Sequence, residues 1–128
     1  MSCFFISGHG DLTLEEFEEH YHPMIEKALS EDGWFVIGDY KGADTMANKF
    51  LSDYLFFNKS MFPHTEVIVY HIGDKPRNNP GRFETFPGFS SDEERDATMT
   101  RHSSADIAWV RPGRENSGTA RNIARRKA

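Results

Sequence analysis

Trp34-Phe35-Val36-Ile37-Gly38-Asp39-Tyr40-Lys41-Gly42-Ala43-Asp44 runs from four apolar residues through a glycine-bounded turn into a helix start. The uninterrupted apolar run predicts a strand covered on both faces. Ala43, Met46, Ala47, Phe50, Leu51, Tyr54 and Leu55 then recur at spacings of three and one, which is the core face of a helix. Strand, turn and helix in this order make half of a βαβ unit.

The same grammar extends in both directions. Upstream, Cys3-Phe4-Phe5-Ile6 reads as a buried strand ending in Ser7-Gly8-His9-Gly10. Thr13 with Glu16 predicts a capping box, and Leu12 with Phe17 a hydrophobic staple. Leu14, Phe17, Tyr21, Met24, Ile25, Ala28 and Leu29 give one apolar stripe, which Pro23 should kink or split. Downstream, Val67-Ile68-Val69-Tyr70 predicts a third strand. Residues 73–90 show no periodicity and read as a long loop, which in a compact domain is either a binding loop or disordered. Ser91 with Glu94 opens a helix to about Ser103, Ile107-Ala108-Trp109-Val110 reads as a fourth strand, and Ser117-Gly118-Thr119 opens a last helix. The expected fold is α/β: a single Rossmann-like three-layer domain over residues 1–128, with a mainly parallel sheet of about four strands.

Composition narrows the functions. The net charge is -5, with four Lys/Arg against eleven Asp/Glu in residues 1–64 and eleven against nine in residues 65–128. Such a chain lacks the broad basic face that a nucleic acid duplex requires. No stretch has the length of a membrane span, and the start lacks a signal peptide's basic flank, so a cytoplasmic protein without a membrane partner is expected. Cys3 alone cannot form an intramolecular disulfide or a multi-cysteine zinc site. His20 and His22 stand about 200 degrees apart on a helix and cannot chelate one ion. No metal or cofactor is called for.

Ligands of open parallel sheets bind beyond the carboxyl ends of the strands. Ser7-Gly8-His9, Gly38 to Asp44, the Lys75-to-Arg82 segment and Ser117-Gly118-Thr119 are all expected on that edge. Glycines admit close approach and helix N-termini attract anions, so the expected guest is a small anion. Arg77, between two prolines, suits a phosphate, and Asn78 could read a base edge. The chain lacks both the dinucleotide fingerprint and the phosphate loop of nucleoside triphosphatases.

Gly38-Asp39-Tyr40-Lys41-Gly42-Ala43-Asp44, and Ala105-Asp106-Ile107-Ala108-Trp109 leading to Ser117-Gly118-Thr119, resemble the SLOG superfamily, which includes LOG and DprA-like proteins. The pattern is also similar to nucleoside 2-deoxyribosyltransferases. The resemblance implies a nucleotide-like ligand in a Rossmann-like pocket. It implies that Gly42 and Asp44 face ribose or phosphate, and that Ser117, Gly118 and Thr119 cradle phosphate. Catalytic relatives carry a Glu where this chain has Asn122, and an amide cannot ionise.

Three readings follow in order. The first is a binding module for a nucleotide-like molecule. The second is an N-glycosidic hydrolase or deoxyribosyltransferase-like enzyme using Asp39 or Asp96. The third is an interaction module whose acidic first half docks a partner. A homo-oligomer in which residues 73–90 reach a neighbouring subunit stays open.

Overall fold

The computed structural model describes residues 2–58 and 61–127. Five strands, β1 (Cys3–Ile6), β2 (Trp34–Ile37), β3 (Val67–Ile72), β4 (Glu84–Phe89) and β5 (Ala105–Ile107), form one sheet in the order β4-β3-β2-β1-β5. Every neighbouring pair is parallel. Phe5 lies opposite Val36 on one side and Asp106 on the other, so β1 is central to the site. The chain builds outward from β1 to β4 and then returns to place β5 on the other side of β1. The crevice at this reversal, between the ends of β1 and β5, is where open α/β sheets take ligands.

The strand count exceeds the expected four because β4 lies inside the aperiodic residues 73–90. It is an edge strand with only Phe89 buried, and it contains Pro87 and Gly88, which hide a strand from pattern reading. Gly88 has a φ of +96°, and the register slips between Tyr70 and Ile72. Phe86 and Phe89 stack on Tyr70, so these aromatics of the presumed loop pack on the sheet. The last strand stops at Ile107 instead of reaching Val110, since the Trp109 N–H leaves the ladder to donate to the Tyr21 hydroxyl at 3.1 Å.

Five helices cover the sheet. α1 (Leu14–His20) starts on the complete Thr13–Glu16 capping box. α2 (His22–Ser30) follows at once, with Pro23 in its first turn, where a missing N–H removes no intrahelical bond. α3 is Ala43–Phe57, α4 is Asp92–His102 and α5 is Gly118–Lys127. The Ser91 hydroxyl caps α4 by accepting from the Glu94 N–H at 3.1 Å. The Glu94 carboxylate accepts instead from Ser90, so that box is half formed.

Side-chain alternation sends Ile6, Phe35, Ile37, Val67 and Val69 to one face, where α1, α2 and α3 pack Phe17, Tyr21, Ile25, Leu29, Ala47 and Leu51. The opposite face carries a smaller core of Phe5, Val36, Tyr70, Phe89 and Met99. α5 brings only Thr119 and Asn122 to that side as buried residues and attaches by polar contacts. Asn122 donates to Asp96 at 3.0 Å, and Arg126 donates to Asp106 at 3.0 Å. A helix held off the sheet in this way leaves room beneath its first turn. Among the described residues, no helix is long and apolar enough to cross a membrane.

Candidate functional site

The room beneath α5 is a cavity of about 460 Å³ at the carboxyl ends of β1 and β2, within the range of small-molecule sites. Phe5 and Met99 supply its apolar floor. Ser7, Gly8, His9, Gly38, Asp44, Asp96, Ser117, Gly118, Thr119 and Asn122, all singled out from sequence, line it. Asp39, Gly42, Arg77 and Asn78 do not.

Asp39 is fully buried, and its oxygens are occupied. Oδ2 accepts from the Arg77 amide at 2.9 Å and Nε at 3.1 Å. Oδ1 accepts from Arg77 Nη2 at 2.9 Å and Arg95 Nη1 at 2.7 Å. Burial alone would raise its pKa, but hydrogen bonds from Arg77 and the charges of Arg77 and Arg95 outweigh it, and the carboxyl is held below its ordinary range. A carboxylate so placed anchors structure and has no opening to the cavity. Arg77, expected to face a phosphate, instead spends its fork on Asp39 and Asp92. The Asn78 amide donates to the Tyr40 carbonyl. Gly42 has a φ of +73°, and a Cβ there would press on the His9 carbonyl oxygen and lie 2.5 Å from that of Gly10. Its role is to seat α3 against the turn after β1.

The first wall of the cavity comes from that turn. Ser7 shares the floor side of β1 with Phe5, and its hydroxyl is buried, with no hydrogen-bond partner among the described residues. His9 Nε2 accepts from the Arg111 amide at 2.9 Å, which puts the imidazole proton on Nδ1. Burial, with Arg114 and Arg111 nearby, lowers its pKa and keeps the ring neutral at pH 7. Tyr21 ties this turn to the end of β5, donating to the Ser7 carbonyl at 2.8 Å while accepting from Trp109. Burial pushes its phenol up to about 12. A Gly8 Cβ would collide with the Tyr21 hydroxyl and lie 2.5 Å from Ala43 Cβ, so glycine is required for this closure.

The rest of the lining carries both charges. Lys41, Arg114 and Arg121 line the cavity with the first turn of α5, where Ser117 Oγ accepts from the Ala120 N–H at 3.2 Å, and Arg114 is paired with Asp11 at 3.2 Å. Asp44, Asp92 and Asp96 line it as well. Arg95 Nε and Nη2 fork onto Asp96 Oδ1 at 3.1 and 2.9 Å, and Asn122 donates to Oδ2. Asp44 differs from its neighbours: among the described residues it has no ion pair, and one oxygen accepts the Tyr40 N–H at 3.0 Å. Burial pushes its carboxyl up to about 7; Arg95 and the Tyr40 amide pull the other way, and Asp96 and Asp39 add to the rise. A Gly38 Cβ would sit 2.6 Å from Asp44 Oδ2 and 2.7 Å from Arg95 Cζ, so this glycine lets the acid and guanidinium approach each other.

Sequence reading missed Arg95, Tyr21, Lys41 and Arg114 as site-forming residues. Arg95 sits among acids in a helix with no marker of burial, and Tyr21 reads as ordinary core by spacing. Among the described residues, no cluster of side chains suits a metal ion. Comparison with family models, curated proteins and solved structures gives no significant match.

Proposed function

We propose that this protein binds a nucleotide or nucleotide-derived molecule in the cavity, as a module rather than as a glutamate-dependent glycosidase. The observation that carries the reading is the convergence in one cavity of the glycine turn after β1, the first turn of α5 and the side chains of Lys41 and Arg121. Helix amides with Lys41 and Arg121 favour phosphate, while the acids of the lining favour ribose hydroxyls or an amino group. Relation to SLOG or deoxyribosyltransferase-like proteins is part of the same proposal. Titration calorimetry with nucleoside 5′-monophosphates, deoxynucleosides and NAD tests it. Saturable binding that weakens in Lys41→Ala and Arg121→Ala supports it, and absence of heat with every one of these molecules refutes it.

A second reading, N-glycosidic bond cleavage, is favoured by Asp44 and Asp96 lining one cavity. Asp96 is held by Arg95 and Asn122, whereas Asp44 retains a proton near neutrality, and such a pair separates base and acid roles. Free base detected by chromatography, and lost in Asp96→Asn, would promote this reading over the module. Tight binding without release of base excludes it.

A further inference from the structure

We propose that the cavity takes up one proton together with its anionic ligand, and that Asp44 holds that proton and meets the ligand as a hydrogen-bond donor.

This regulation rests on the nucleotide-binding reading but comes from a separate observation, the uneven sharing of arginine among four acids. Arg95 directs Nη1 to Asp39 and Asp92 and its remaining nitrogens to Asp96, and Arg77 directs its fork to Asp39 and Asp92. Both guanidinium groups are thereby committed. Asp44, buried beside them, receives the Tyr40 N–H and no ion pair among the described residues. Around it stand Asp39 after β2, Arg95 and Asp96 of α4, and the Tyr21 phenol at the junction of α1 and α2. The same cavity is lined by neutral His9, by Asp92, by the cations Lys41 and Arg121, and by Arg114, which is paired with Asp11 at 3.2 Å. A carboxylate without a direct ion partner, offset only by the charge of Arg95 and the Tyr40 amide and set beside two other acids, repels an incoming anion when ionised, and burial already favours its neutral form. An added negative charge in the same cavity raises proton affinity further, so proton and anion bind with positive coupling. The first turn of α5, with Lys41 and Arg121 in the same lining, offers an anion a place independently of the acids.

The test is calorimetry of the whole chain with ribonucleoside 5′-monophosphates and with adenosine 5′-sulfate, an ester whose charge does not change over the range used. Runs in two buffers of different ionisation heat count the protons taken up. Binding of the sulfate ester by the native protein should weaken about tenfold from about pH 6 to about pH 8, with proton uptake near neutrality. Asp44→Asn, which keeps an acceptor for Tyr40 but cannot titrate, should bind without that dependence. For monophosphates, whose own second ionisation lies near pH 6, the difference between native protein and Asp44→Asn isolates the residue. Equal pH dependence in the two proteins, or binding by the native chain with no proton taken up, overturns the proposal while leaving the ligand class standing. No binding of any probe at any pH overturns the ligand class as well. If Asp44→Asn fails to fold, the proton count on the native chain decides.

Discussion

Arg77 reaches across the sheet edge to clasp Asp39 with its amide, its Nε and its Nη2, all within 3.1 Å. The pair pins the segment after β3 to the end of β2, and Arg95 ties the same carboxylate to α4. Asp39→Asn would leave buried Arg95 short of one partner, at a cost of about 3–5 kcal/mol in urea unfolding. Arg77→Ala should cost less, about 1 kcal/mol, because its side chain is 39% exposed. Equal losses in the two variants would contradict this ranking.

Tyr21→Phe removes the donor to Ser7 and the acceptor for Trp109 while preserving the ring that stacks on Phe17. The expected loss is about 1–3 kcal/mol, since two buried backbone groups lose a partner. Faster amide exchange at Trp109 would accompany it. A variant as stable as the native chain would mean that water replaces the hydroxyl.

Gly8→Ala places a methyl group against Tyr21 and Ala43, and Gly42→Ala adds an unfavourable φ to a clash with two carbonyl oxygens. Both variants should have lower melting temperatures, by about 1–3 kcal/mol of stability, with Gly42→Ala the worse. Thermal unfolding followed by circular dichroism reads both directly. A reversed order would show that the turn after β1 is less able to yield than the start of α3.

Glu16 and Asp44 should give opposite pH signatures. Arg111, with Thr13, holds Glu16 down to about 2 from an ordinary 4.5, so its stabilisation is complete above 4.5 and disappears as pH falls toward 2. Glu16→Gln should flatten that acid limb of stability. The Asp44 pKa is raised to about 7 from 3.8, so its unfavourable contribution grows as pH rises from 3.8 toward 7. Asp44→Asn should therefore gain stability relative to the native chain over that interval. Chemical unfolding at several pH values compares the slopes, and parallel slopes for native and variant proteins would contradict either assignment.

The layered fold was legible because the central strands are apolar on both faces and the long helices keep a regular stripe. Phe5, Val36 and Ile37 announce their surroundings in the sequence; β4 does not, since its residues are mostly exposed and broken by Pro87 and Gly88. At the site, glycine turns and the opening of α5 could be found because backbone geometry demands particular residue types there. Asp39 and Asp44 illustrate the limit. Both follow one strand in an identical chemical alphabet, and only the positions of Arg77 and Arg95, many residues later, make one a sealed anchor and leave the other facing the cavity.

The outer strand β4 has one further consequence. A sheet margin normally offers an open ladder of donors and acceptors that another polypeptide can extend, the route to fibrils and to unintended oligomers. Here Pro87 contributes no amide hydrogen, and Gly88, with a φ of +96°, sits at the register shift that precedes the Ile72–Phe89 pair. On the other flank, β5 is only three residues long. Both rims therefore offer poor templates, and the same two residues that disguised the strand are the ones that disfavour extension of the sheet at β4.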